Sequence, residues 1–464
     1  MSERESRVPK TKKAKIPLAE AALKRHFGRL PLQDLVTASR TFPMTARVDV
    51  QLALDKMFAQ QPNATLLGIH NQFQHETITV AHLLKNDHFP VVIGPLQSEE
   101  IDIGETLPAR CLRQGLWLAR EGSIPYAVLL SAAARFGRPE GSHVEIAVPA
   151  GEAGSMLSRR ILDEFESLVR GTSSYRGKVI SLEQPDRYTG HSGPLRVHKL
   201  RGVKREDVIL PSRTLQLLDR NVVDFVQQRD QLKKLGLPIK KGLLFYGPPG
   251  TGKTHTIHYL AGRLTDHTTL LVSAEQVGLL DHYFQLARFL QPAMIVIEDV
   301  DLIARTRETM HGPCDESILN KLLNEMDGLR EDAAVLFVLT TNRPEALEAA
   351  LASRPGRVDQ AIEFPLPDEN GRRLLVRLYA SGLPLEDSVV ETVVRRTERA
   401  SAAFIKELMR RAAQFYIQNG GNGNLQIDEM NSALEEMLFA GGSLNAKLLG
   451  AEGVAGLKSP GGIH

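Results

Sequence analysis

The run Gly247-Pro-Pro-Gly-Thr-Gly-Lys253-Thr254 constrains this chain more than any other stretch. It follows a compact apolar segment, Gly242–Tyr246, and opens a segment with helix-forming character. That is the strand–turn–helix setting that a phosphate-binding loop requires. Glycines let backbone N–H groups approach an anion unobstructed, and the N-terminus of the following helix adds its dipole. Gly247, Pro248, Pro249, Gly250, Thr251 and Gly252 are therefore expected to wrap the phosphates of a nucleotide. Lys253 would reach the β- and γ-phosphates, and the Thr254 hydroxyl would ligate Mg²⁺. The expected ligands are ATP and Mg.

Such a loop needs a sheet behind it. Leu243–Tyr246, Leu270–Val272, Met294–Ile297 and Val335–Leu339 are apolar runs separated by helix-length segments. This alternation predicts βαβ units and a parallel sheet covered on both faces. From 367 onward only helical spacing remains, over Asn370–Ser381, Asp387–Thr397, Ser401–Asn419 and Ile427–Leu438. The expected fold is thus α/β, a P-loop parallel-sheet core over 200–366 with a C-terminal helical lid over 367–440. Residues 441–464 read as a Gly-rich tail.

Upstream, Leu66–Ile69, Val91–Ile93, Tyr126–Ser131 and Val144–Val148 read as short strands, and Ser155–Arg170 as an amphipathic helix. They predict an α+β N-terminal domain over 41–195, with Lys178–Leu182 as a further strand and Glu183–Pro194 as a linker. Charge is uneven: Met1–Arg29 holds nine Lys/Arg against three Asp/Glu, and the remainder 48 against 52. Residues 1–40 are therefore expected to form a basic arm, although Ala19–Leu30, like Val48–Gln60, has helical apolar spacing. Such an arm can touch nucleic acid or an acidic partner, but a solvated disordered tail is the more ordinary reading.

No stretch approaches the roughly 18 unbroken apolar residues of a membrane span, and no apolar leader follows Met1. A cytoplasmic protein is expected. Cys111 and Cys314 lie outside any metal-ligand spacing and read as reduced thiols. His75-Glu76 and His82 do not make a zinc helix, because the second histidine falls seven residues on rather than four.

The second chemical element is Met294-Ile-Val-Ile-Glu298-Asp299-Val300-Asp301, an apolar strand that ends in two adjacent carboxylates. One would hold the Mg²⁺ shell and the next would polarise the attacking water. Glu298 is assigned to the metal side with Thr254, and Asp299 to the water. A second register puts Asp299 at the metal and leaves Val300 where the base belongs.

These residues, with Leu336-Phe-Val-Leu-Thr-Thr-Asn342-Arg-Pro and Arg354-Pro-Gly-Arg357-Val-Asp359, resemble AAA+ ATPases of the AAA clade. Leu235-Gly-Leu-Pro-Ile-Lys-Lys-Gly, Leu322-Leu-Asn-Glu-Met-Asp-Gly-Leu and Ile362-Glu-Phe-Pro-Leu-Pro-Asp support the likeness, which runs from about 205 to 440. The resemblance implies ATP hydrolysis in a homo-oligomeric ring, a hexamer, acting as a remodeller or chaperone on a protein partner. A nucleic-acid-associated ATPase and an ATP-gated scaffold with weak turnover are the alternatives. It also implies that Asn342 senses the γ-phosphate, that Arg354 and Arg357 are arginine fingers supplied in trans, and that Ala402 lets the lid backbone approach the nucleotide.

The chain departs from the clade in three places. The acids stand in the order Glu-Asp rather than Asp-Glu. Between Ser273 and Phe284 the usual aromatic-hydrophobic-Gly step is missing, with Tyr283 the nearest aromatic. Ala400-Ser-Ala402-Ala403-Phe404-Ile-Lys-Glu stands for the clade's Gly-Ala-Asp stretch, with Ala402 serving in place of the glycine.

Overall fold

The computed structural model describes residues 17–71, 77–84, 90–135, 138–172, 174–183, 195–301, 317–345, 347, 357–380 and 382–437. The chain divides into two compact units, Met1–Ser174 with Glu183–Arg196, and Tyr175–Leu182 with Val197–His464.

The first unit is built on a six-stranded antiparallel sheet. Its order is Leu35–Pro43, Arg138–Pro149, Ile124–Arg135, Gly115–Glu121, Thr65–His70 and Val92–Gly94. Successive residues of a strand face opposite ways, and here both faces are covered. Tyr126, Val128 and Leu130 pack with Val50 and Leu54 of the helix Arg47–Ala59 and with Ile161 and Phe165 of the helix Glu152–Gly171. Ala127 and Leu129, pointing the other way, pack with Leu23 and Phe27. The result is a sheet between two helical layers.

Residues 17–40, expected as part of a basic arm, instead belong to this unit. Ala19–Phe27 is a helix whose Ala19, Leu23 and Phe27 are buried at four-residue spacing, while Lys24 and Arg25 are exposed. Leu35–Pro43 pairs along its whole length with Arg138–Pro149. Lys24 and Arg25 lie on the solvent side of this amphipathic helix, and the six Lys/Arg of the expected arm in residues 1–16 lie outside the described residues.

In the second unit the strands Val179–Leu182, Thr268–Val272, Ala293–Ile297, Val335–Thr341, Lys241–Tyr246 and Gln360–Glu363 lie side by side, all parallel. Leu195–Val197, where the chain crosses between the units, lies beyond Val179–Leu182. Val179–Leu182, expected as a strand of the N-terminal domain, is therefore added to the P-loop sheet. A short apolar strand carries no mark of which sheet it joins.

Register positions the site. Tyr246 stands opposite Thr341, and Ile297 opposite Leu339. Gly247, Glu298 and Asn342 consequently leave the sheet at one edge, outside the carboxyl ends of parallel strands, where ligands bind in such folds. Leu243, Phe245, Val296 and Val338 fill the layer beneath, against Ile257 and Leu260.

The lid helices are Glu369–Tyr379, Asp387–Arg396, Ala402–Gln418 and Ile427–Glu435, around a core of Val376, Val390, Val394, Phe404, Leu408 and Met430. Two helices start with side-chain caps, Asp368 accepting from Gly371 N and Ser401 from Phe404 N.

Tyr283 is fully buried and joins three segments. Its hydroxyl accepts from Leu182 N at 2.8 Å and lies 2.9 Å from both Leu271 O and Gln276 Oε1, to one of which it donates. Gln276 Nε2 in turn donates to Leu182 O at 2.7 Å. Tyr283→Phe would leave the Leu182 N–H without this acceptor, at a cost of about 1–3 kcal/mol. Urea titration of the variant should show a lower unfolding midpoint; an unchanged midpoint would rule out a structural role for the hydroxyl.

Candidate active site

The P-loop needs glycine for two separate reasons. Gly247, Gly250 and Gly252 have φ of 141°, 75° and 102°, in the region that L side chains avoid. A Cβ on Gly247 would also stand 2.3 Å from Phe364 O, and one on Gly250 2.8 Å from Ala403 Cβ. The loop is pressed against the core on one side and the lid on the other.

Lys253 opens the helix Lys253–Arg263 and is buried. Its ammonium donates to Gly247 O at 2.8 Å, Pro248 O at 3.0 Å and Asn342 Oδ1 at 2.8 Å. Burial lowers its pKa to about 8, against the opposing charges of Asp299 and Asp301. Thr251 Oγ1 donates to Pro248 O at 2.9 Å and ties the loop to itself.

The acids lie directly opposite. Thr254 Oγ1 donates to Glu298 Oε1 at 2.7 Å. This pair of oxygens suits a hard cation such as Mg²⁺, which takes few protein ligands and keeps water and phosphate oxygens for the rest. Asp299 sits at φ 51°, a left-handed conformation that a short polar side chain tolerates better than a long one. Its N–H donates to Thr340 Oγ1 at 3.0 Å, and its Oδ1 accepts from Asn342 Nδ2 at 3.0 Å. Burial raises the Asp299 pKa, the charges of Asp301 and Glu298 raise it further, and Lys253 and Asn342 act the other way. Val300, the base position of the second register, is a fully buried apolar side chain.

Asn342 connects the two groups. An ammonium can only donate and a carboxylate only accept, so the amide has one workable orientation, with Oδ1 to Lys253 and Nδ2 to Asp299.

Lid and loop meet where Ala403 N donates to Gly250 O at 3.0 Å. Between them lies a cavity of about 360 Å³, lined by residues 249–256, Asp299, Thr340, Asn342 and Ala402, together with Asp207–Leu210, Leu375, Tyr379, Ala403 and Lys406. Several of these were not anticipated. His255 Nε2 lies 3.2 Å from Asp207 O and closes one wall. Lys406 stands one helical turn beyond Ala402, a spacing that marks a shared face. Asp207–Leu210 carries no chemical signature and enters by position alone.

Arg357 is not in this cavity. Its guanidinium, 11% exposed, pairs with Asp327, and Nη2 lies 3.4 Å from Asn324 Oδ1. Buried Nη1 has no hydrogen-bond partner among the described residues. Arg354 lies outside the described residues. Tyr283, the aromatic nearest the missing pore step, is the buried junction described above.

Residues 243–366 match the model of the AAA family, described as ATPases associated with various cellular activities. The chain is 35% identical over 219 residues to a proteasome-activating nucleotidase of Methanothermobacter thermautotrophicus, covering 45% of this chain and 53% of the relative. It is 33% identical over 230 residues to the ATP-dependent zinc metalloprotease FtsH 3 of Synechocystis sp., covering 47% and 37%. It is 35% identical over 204 residues to a 26S proteasome regulatory subunit 6B homolog of Encephalitozoon cuniculi, covering 41% and 52%. The chain thus spans about half, or less, of the length of these curated relatives. The domain that carries the P-loop is thus similar to the ATPase domains of the AAA family.

Proposed function

We propose that the chain binds Mg-ATP between P-loop and lid and hydrolyses it as one subunit of a homo-oligomeric ring, a hexamer. The ring would remodel a protein partner in the cytoplasm. The observation that carries the hydrolytic reading is the Asn342 amide joined to both Lys253 and Asp299, with Thr254 and Glu298 beside it. Two relatives bear names of proteasome regulators, which favours a protein partner over nucleic acid. The protease activity in the third relative's name is not carried over, since no His-Glu-x-x-His stands in the 464 residues.

On binding, phosphate oxygens replace the Gly247 and Pro248 carbonyls as acceptors for the Lys253 ammonium. Gly250, Thr251 and Gly252 present backbone N–H groups, and Ala402 and Ala403 leave the lid backbone room to approach. Thr254 and Glu298 would hold Mg²⁺, which when bound neutralises charge on the β- and γ-phosphates. Asp299 accepts a proton from water as the water oxygen bonds to the γ-phosphorus. The bond to the β-bridging oxygen breaks, giving ADP and inorganic phosphate. Asn342 holds Asp299 and orients the water. Arg354 and Arg357 would spread charge over the equatorial oxygens in the neighbouring subunit's site. For Arg357 this requires release from Asp327.

Asp299→Asn should keep ATP bound and cut turnover by about 10²–10⁴, because an amide cannot take the water's proton. Hydrolysis at the parent rate would exclude Asp299 as the base.

Lys253 gives the pH dependence of binding. Free, it loses its proton near pH 8; bound, phosphate charge favours the protonated form. The complex therefore holds more protons than the free protein, and ATP affinity should fall as pH rises through 8, by up to about tenfold per unit. Calorimetry in buffers of different ionisation enthalpy should register net proton uptake. Constant affinity from about pH 7 to 9 would contradict the role given to Lys253.

Arg354→Ala and Arg357→Ala should each reduce turnover strongly, by up to about 10³, with ATP affinity nearly intact. Mixing Arg357→Ala protein with Lys253→Ala protein should restore activity at shared interfaces. If co-assembled mixtures show no recovery, the arginines do not act in trans.

A further inference from the structure

We propose that Asp301 is a positioning residue for the hydrolytic step, its buried carboxylate fixing the backbone of Asn342 and, through that side chain, the water-polarising Asp299. The proposal rests on the hydrolytic reading above.

Asp301 is 4% exposed and does not line the cavity, so it touches neither nucleotide nor water there. Its Oδ1 accepts from Thr341 Oγ1 at 2.9 Å and from Asn342 N at 3.2 Å. The same Thr341 hydroxyl oxygen accepts from Arg343 N at 2.9 Å. One carboxylate oxygen thus governs three consecutive residues, 341–343, where the chain leaves the strand Val335–Thr341. A buried carboxylate is costly unless donors satisfy it, and the donors here belong to the turn that carries Asn342.

What this arrangement controls follows from the amide. Both ends of the Asn342 side chain are committed, to Lys253 Nζ at 2.8 Å and Asp299 Oδ1 at 3.0 Å. Those bonds exist together only if the Asn342 backbone stands in one place. Asp299 N is tied to Thr340 Oγ1 from the neighbouring strand. The ends of the strands Ala293–Ile297 and Val335–Thr341 are therefore joined at four points, two of them on Asp301. Displacing a catalytic group by about 1 Å costs on the order of a hundredfold in rate.

The test compares ATP turnover and nucleotide affinity in the full-length chain for Asp301→Ala, Asp301→Asn and Thr341→Val. Asp301→Ala should lower kcat by about ten- to a hundredfold, with ATP affinity within about threefold of the parent. In Asp301→Asn the amide oxygen can accept the same two bonds, so most of the rate should return. Thr341→Val keeps the carboxylate and deletes one donor, and should show a smaller loss. A fall in kcat without a matching fall in affinity, reversed in the Asn variant, is what a purely structural role would not produce.

Parent-like kcat in both Asp301→Ala and Thr341→Val overturns the proposal. So does an Asn variant as slow as the Ala variant, or a loss of affinity that matches the loss of kcat. Absence of any Mg-ATP turnover in the parent protein overturns the hydrolytic reading itself, a result distinct from normal turnover in the variants.

Discussion

The Asn342 amide is the contact on which the site depends. It lies between a group that can only donate and one that can only accept, so its two ends cannot be exchanged. Lys253 and Asp299 come from different segments, one after Lys241–Tyr246 and one after Ala293–Ile297, and Asn342 follows the strand between them in the sheet. Strand register brings the three together. A one-residue slip would turn every side chain to the other face, and the fully buried Val335–Thr341 strand leaves no room for that. Packing beneath the sheet edge and polar geometry above it are therefore one requirement.

The unusual order of the acids has a backbone counterpart. Asp299 occupies the left-handed region, where a short carboxylate that bonds locally is better tolerated than a longer side chain. Glu298, one methylene longer, reaches the Thr254 hydroxyl. Each side chain length thus fits the place its residue holds.

Much of this was legible in the sequence, and the rest was hidden for physical reasons. The P-loop, the acidic strand end and the Asn342 strand announce themselves because phosphate chemistry tolerates few residue types at each position. Strand existence in the core followed from apolar runs of the right length. Ala19–Phe27 has helical apolar spacing but was grouped with the basic arm, because net charge over a segment does not say which residues face inward, as Ala19, Leu23 and Phe27 do. Val179–Leu182 was placed in the wrong sheet because a short, mostly apolar run specifies a buried strand but not a neighbour. Asp301 was visible as a letter in the acidic run, yet its two donors come from residues 40 and 41 positions away. Lys406 and Tyr379 line the cavity through the folding of the lid, which sequence periodicity alone does not orient.

The path of the chain between the two units bears on how the molecule can be divided. Tyr175–Leu182 belongs to the second unit, Glu183–Arg196 to the first, and Val197 onward to the second again. The polypeptide crosses the boundary three times, so no single cut yields two complete pieces. A fragment begun near residue 200 would keep every phosphate-binding group yet lose the strand beside Thr268–Val272. That strand would then present a row of unpaired N–H and C=O groups, a template for unwanted pairing with other chains. The nucleotide-binding half thus borrows the cover for its sheet edge from sequence that reads as belonging to its neighbour.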